Sequence, residues 1–400
     1  MPSPLERVST SFGSKLPINP GRLRLYASEG EARHATWLEL FFDLVFVLTM
    51  AELAHLLHGH PDWGGIISFA VLFVPVWWLW IDFSYYADQF DVDEGIYRLI
   101  YFGIMFGIVV LALTIPEALG VGSTNFAAVY AALRLVIIGL YMQAWRLVPQ
   151  SRELTSRYAM SFSVAFFLWL VSIGVPGPAR FWLWAIALLI EISNGPITYL
   201  TIRHVPVQES HMDERFGLFV IIVLGEAIIA VASGVADTNW QWQSVLTAAS
   251  GFIVAVSLWW MYFERAEEST INQALRGGKM ALLRSYVYGY SHVFAFMGIV
   301  ATGVGIQFAI EAASGETFTL PMQSTLCGGI AAFLFGVTSL QWASPTCLPR
   351  KAVMGRSLLA IFSLGLIAVN ALISPIIVVV LMAALLVTLN KVDGLPLVKG

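Results

Sequence analysis

Apolar stretches of about 20 residues recur from Trp37 almost to the end of the chain, separated by short polar loops. A helix of roughly 20 residues is what crosses the ~30 Å hydrocarbon core of a bilayer. Spans are read at approximately 37–57, 64–86, 97–119, 124–146, 157–175, 180–202, 215–236, 242–264, 285–312, 322–342, 355–373 and 374–391. The last two share one apolar run, divided only at Ser374-Pro375. Composition agrees: hydrophobic residues make up 58% of the 400 positions and charged residues 12%, with a mean hydropathy of +0.75. A soluble domain is nearer a quarter charged, so this chain has too little polar side chain to cover a water-facing surface. The expectation is an all-α integral membrane protein of about 12 transmembrane helices.

Residues 1–35 are polar and basic (Arg7, Lys15, Arg22, Arg24, Arg33) and interrupted by Pro and Gly. No apolar core followed by a small-residue cleavage site occurs there, so no cleaved signal peptide is expected. Basic residues then set orientation, because cytoplasmic loops are enriched in Lys and Arg. With the N-terminus in the cytoplasm, inner loops carry Arg98; Arg146, Arg152 and Arg157; Arg203; Arg276, Lys279 and Arg284; and Arg350, Lys351 and Arg356. Outer loops 58–63, 120–123, 237–241 and 313–321 contain neither Lys nor Arg, and only Arg180 departs from the pattern. Both termini are expected in the cytoplasm of a cell-membrane protein. A net charge of −4 without a basic tract argues against nucleic acid as a partner. Cys327 and Cys347 lie 20 residues apart near opposite ends of one span. That is roughly 30 Å along a helix, too far for a disulfide.

The chain also echoes itself. Leu38-Glu39-Leu40-Phe41-Phe42-Asp43-Leu44-Val45-Phe46-Val47 opens the first span, and Asp213-Glu214-Arg215-Phe216-Gly217-Leu218-Phe219-Val220-Ile221-Ile222 opens the seventh. The run Val76 to Phe83 ends the second span as Val256 to Phe263 ends the eighth. The echoes keep their order at nearly constant spacing. They divide the chain into a cytoplasmic segment 1–35, a first six-helix repeat 36–210 and a second six-helix repeat 211–400. An even number of spans per repeat gives both halves one orientation, related by an axis along the membrane normal.

The run Trp37 to Leu57 (WLELFFDLVFVLTMAELAHLL) resembles the signature of the bacterial low temperature requirement A (LtrA) family. The run Glu214 to Val231 (ERFGLFVIIVLGEAIIAV) resembles its second hallmark. What the resemblance implies is a multi-pass membrane protein linked by name to growth in the cold, without an established biochemical activity. Phe41-Phe42-Asp43-Leu44-Val45-Phe46 is also similar to the Phe-Ser-Asp motif of lysosomal-type potassium channels. Those channels have two six-helix repeats whose first and seventh helices line the pore. Here Phe42 stands for the Ser, Trp37 for an Arg, and the second repeat lacks the Asp.

Ionisable side chains in hydrocarbon are costly and seldom face lipid. Counted at ~1.5 Å per residue from the span ends, Asp43, Asp82 and His292 lie near the cytoplasmic side. Arg134, Glu191 and Glu226 lie around the midplane, and Glu52, His55 and Glu117 toward the outside. Glu191 precedes Asn194-Gly195-Pro196, which is expected to interrupt the sixth span because Pro lacks an N–H and clashes with the preceding turn. Broken helices near the midplane are where transporters hold substrates and ions. Arg134 is expected to pair with either midplane acid; its plainer role is a buried pair that only fixes packing. Glu39, in the first turn, is explained by the positive end of its helix, whereas Asp43 lies too deep for that and is read as a cation or proton ligand. Glu52 and His55 have Glu-x-x-His spacing, but no second such pair exists for a di-iron site, so they are read as an outer vestibule and no metal is expected. Nucleotide-binding loops, G-x-S-x-G and H-E-x-x-H are absent from the sequence, and no cofactor is expected.

The leading expectation is transport of a cation or small solute, proton-coupled in one version, between the two halves. Its partners would be the bilayer and the transported species, and a homo-oligomer is compatible with the sequence. The alternatives are a membrane-embedded enzyme acting on a lipid or isoprenoid, and a non-catalytic membrane organiser for growth in the cold.

Overall fold

Each span begins and ends where the local chemistry of the chain dictates. Thr36 and Glu39 form a reciprocal capping box that starts α1 (Trp37–Gly59). Asp62 accepts from the Gly65 N–H and starts α2 (Trp63–Gln89). There follow α3 (Ile96–Thr114), α4 (Ser123–Leu147), α5 (Arg152–Ile173), α6 (Ala179–Thr201), α7 (Met212–Ala236), α8 (Trp242–Phe263), α9 (Gly278–Ala313), α10 (Leu320–Ala343), α11 (Arg350–Ile367) and α12 (Pro375–Asp393). This computed structural model describes residues 35–90, 95–202, 210–236, 238, 240–264, 278–344 and 349–393, without the side chains of 278–283. Among the described residues there are twelve α-helices and no strand. Eleven are long and apolar enough to cross a membrane. The exception, α11, has 18 residues and carries Arg350, Lys351 and Arg356 in its first two turns.

The terminal apolar run is divided as expected, by a 3-10 turn at Asn370–Leu372 and a fresh start with Pro375 at the first position of α12. At Asn194-Gly195-Pro196 the expectation fails. Helix α6 runs unbroken through Pro196. The ring deprives the Ile192 carbonyl of its usual N–H, and the Tyr290 hydroxyl of α9 donates to that carbonyl at 2.8 Å instead. Cys327 is buried with a free thiol, and Cys347 lies outside the described residues. Arg180, the exception in the outer loops, donates to the carbonyls of Ser172, Ile173 and Val175 and so caps the end of α5.

Helix α1 packs on α2, α3, α7 and α9, while α7 packs on α1, α8 and α9. Helices α9 and α10 lie closest together. A Cβ at Gly298 would sit 2.4 Å from the Phe333 nitrogen, and one at Gly305 2.4 Å from the Leu326 Cα, so only glycine permits this approach. Where α1, α2, α7 and α9 meet, Trp80 stacks on Phe219 with centroids 4.4 Å apart, and Phe219 contacts the rings of Phe296 and Phe46. This aromatic knot lies between α1, α2, α7 and α9.

Candidate functional site

The start of α7 meets the start of α1. Arg215, fully buried, donates from Nη2 to Asp43 at 2.5 Å, from Nε to the same carboxylate at 3.3 Å, and from Nη1 to the Ser84 carbonyl at 3.3 Å. Trp80 Nε1 donates to Asp43 at 2.7 Å. Glu39, capping α1 with one oxygen, lies 4.0 Å from Arg215 with the other. His211 completes the cluster: Nε2 faces Glu39 at 3.0 Å and Nδ1 faces Asp88 at 2.8 Å. Ionised carboxylates only accept, so an imidazole between two of them is held as imidazolium. Burial opposes that charge, but the adjacent carboxylates of Asp88 and Glu39 outweigh it and hold the His211 pKa above the usual 6.5.

Along α7 the side chains change character in steps. Phe219, in the aromatic knot, lies one turn beyond Arg215, and Glu226 seven residues further, roughly 10 Å. Glu226 is 6% exposed and its nearest charged influence is His55 of α1, itself exposed. Glu52 is partly buried one turn before His55. Seam residues therefore run from an ionic layer (Glu39, Asp43, His211, Arg215), through aromatic rings, to Glu226 and His55.

Arg134 does not meet Glu226. It lies on α4, within reach of α2 and α6 rather than α7, and its partners come from those two helices. Nη1 binds Asp82, Nη2 donates to the Tyr130 hydroxyl at 2.6 Å, and Nη2 lies 2.8 Å from Glu191. The Glu191 contact is an ion pair in distance only, because neither carboxylate oxygen is aligned for a hydrogen bond. Counting residues from span ends put Asp82 and Arg134 in separate layers, but the 27-residue α2 brings Asp82 to the guanidinium.

A matching knot ties the second half. Arg356 of α11 donates to Asp393 of α12 at 2.8 Å and to Gln341 of α10 at 2.6 Å, and Gln341 donates to the Met261 carbonyl of α8 at 3.0 Å. His292 is a satisfied interior histidine. Its Nδ1 faces the Tyr288 carbonyl at 2.9 Å, so Nδ1 carries the proton and Nε2 accepts from the Tyr262 hydroxyl at 2.9 Å. At the far end His58 pairs with Glu311 of α9 at 3.0 Å. Among the described residues no group of three or more His, Cys, Asp or Glu is placed to hold a metal ion.

The model of the bacterial low temperature requirement A protein (LtrA) family matches residues 34–387. The chain belongs to the LtrA family. It is 29% identical over 359 residues to the "Uncharacterized protein RA0937" of Rhizobium meliloti (strain 1021), covering 87% of each chain. No solved structure matches it significantly. The hallmark runs of this LtrA-family chain thus hold the residues of the α1–α7 contact: Glu39 and Asp43 in the first, Arg215 and Glu226 in the second. Sequence reasoning missed Arg215, His211, Asp88, Arg356, Asp393 and Glu311. For Arg215 a signal was present, since the echo of α1 in α7 makes the two helices counterparts, and a buried Asp near the start of one calls for a cation near the start of the other.

Proposed function

We propose that this LtrA-family protein transports a cation or small solute across the cell membrane along the α1–α7 seam, between two parallel six-helix repeats, with both termini cytoplasmic. The observation that carries the reading is the succession on α1 and α7 of a buried ionic layer, an aromatic closure at Phe46, Phe219, Trp80 and Phe296, and a second acid, Glu226, beyond it. Charged groups survive inside a membrane protein chiefly where they pair or line a path. Repeat symmetry gains support from the packing. Contacts α1–α2, α1–α3, α3–α4, α4–α5 and α5–α6 recur as α7–α8, α7–α9, α9–α10, α10–α11 and α11–α12. On this reading the aromatic closure is a gate, and Asp43 reports on it through its hydrogen bond to Trp80.

Flux into proteoliposomes with varied cations and an imposed pH gradient tests the proposal. Glu226→Gln keeps shape and hydrogen-bonding capacity while deleting the charge, so the variant is expected to insert and lose most flux. Normal flux in both Glu226→Gln and Asp43→Asn would place any pathway elsewhere.

A further inference from the structure

The Arg134 site holds one acid more than its cation balances. The side chains of Asp82, Arg134 and Glu191 are 5%, 0% and 0% exposed, on three different helices of the first bundle. Around them stand the hydroxyls of Tyr130 and Tyr141 from α4 and of Tyr290 from α9, and the rings of Phe162 and Trp169 from α5. None of these supplies a second positive charge. Two carboxylates facing one guanidinium away from water leave an odd negative charge, which a low-dielectric interior does not tolerate.

The polar atoms indicate where that charge is answered. Asp82 is hydrogen-bonded to Arg134. Glu191 is not: both its oxygens lack an aligned donor, as Arg134 Nε and Asn194 Nδ2 lack an aligned acceptor. Asn194 lies three residues after Glu191, on the same face of α6, and its carbonyl is already occupied by the Thr198 hydroxyl. Thus the Glu191 carboxyl, the Asn194 amide N–H on the same face of α6 and the Arg134 Nε–H each have hydrogen-bonding capacity to spare, and among the described residues no group of three or more His, Cys, Asp or Glu is placed to hold a metal ion.

We propose that the Asp82–Arg134–Glu191 site binds one exchangeable proton, carried on Glu191, and that this proton is the coupling ion of the transport cycle; the second clause rests on the transport reading above. With the proton on a Glu191 oxygen, Arg134 neutralises Asp82 and the site is uncharged overall. When the O–H bond breaks and the proton passes to water, Glu191 becomes a carboxylate and competes with Asp82 for the guanidinium. That competition pulls α6 and α2 against α4. At Arg356 the guanidinium meets Asp393 and the neutral Gln341, and no proton is assigned there.

Infrared difference spectroscopy on the full-length protein in lipid tests the site without any flux. The band read is the C=O stretch of a protonated carboxyl, which shifts in deuterated buffer. Wild type minus Glu191→Gln is expected to contain such a band at neutral pH and to lose it as the pH is raised. Wild type minus Asp393→Asn is expected to contain none. Asp82→Asn, which leaves Glu191 as the sole acid for Arg134, should also abolish the band, and it serves if Glu191→Gln does not fold. A wild type without the band at neutral pH, or a band that survives both Glu191→Gln and Asp82→Asn, overturns the proposal. The transport reading fails separately, through normal flux in the Glu226 and Asp43 variants. Coupling alone fails if Glu191→Gln retains the pH dependence of flux.

Discussion

The two halves of the molecule tie their helices with the same device and a different charge balance. In the first, Arg134 joins α4 to α2 and α6 through two carboxylates. In the second, Arg356 joins α11 to α12 through one carboxylate and to α10 through an amide, which continues to α8. Both arginines are buried, at 0% and 1% exposure. What differs is the residue that completes each knot, an ionisable Glu191 against a neutral Gln341. A balanced buried pair positions helices and has little reason to respond to pH. An unbalanced one has a proton to gain or lose, so one extra carboxylate separates a fastener from a site.

Removing the arginines should produce the largest effects. Deleting one partner of a buried pair strands the other charge and costs about 3–5 kcal/mol. With Glu191 protonated, Arg134→Met removes the countercharge of Asp82 alone, as Arg356→Met removes that of Asp393, so the two are expected to lower thermal stability in detergent by similar amounts at neutral pH. A markedly larger loss for Arg134→Met would mean that Glu191 is ionised in the native protein. Next come the acids themselves. Asp393→Asn removes a charge-assisted hydrogen bond and should cost about 1.5–3 kcal/mol, whereas Glu191→Gln removes no aligned hydrogen bond and should leave the melting temperature nearly unchanged. Gln341→Leu takes bonds from both Arg356 and the Met261 carbonyl, for an expected loss of about 1–3 kcal/mol.

A smaller, pH-dependent effect belongs to His211, outside both knots. Its folded pKa is raised above the usual 6.5 because Asp88 and Glu39 outweigh burial. The bridge therefore contributes fully below about pH 6.5 and is lost as the pH rises through the folded value. Melting temperature measured against pH should fall across that window in the wild type and be flatter in His211→Gln. An unchanged slope in the variant would remove His211 as the group responsible.

Helix number and placement were legible because a bilayer demands one long apolar segment per crossing, which composition cannot hide. Asp43, Asp82, Glu191 and Glu226 were legible as interior acids too, since charge well inside such a segment stands out; Asp88, Glu311 and Asp393, nearer helix ends, were not. Partners were harder to read. Arg134 was matched by depth to either Glu191 or Glu226, and it meets Glu191; depth could not choose between them, because partner choice depends on which helices touch, and α4 touches α2 rather than α7. Pro196 carried a strong local signal for a break, and a tertiary hydrogen bond from Tyr290 overrode it. Arg356 and Asp393 sit near span ends, where charged residues ordinarily reach water, so nothing local marked them as buried.

The most direct test is pH-gradient-driven uptake into proteoliposomes containing Glu191→Gln or Asp393→Asn, measured side by side with the wild type. The account predicts that Asp393→Asn protein, once inserted, keeps its pH dependence whatever its stability, while Glu191→Gln protein inserts normally and loses that dependence. Uptake that responds to pH identically in the two variants would contradict it.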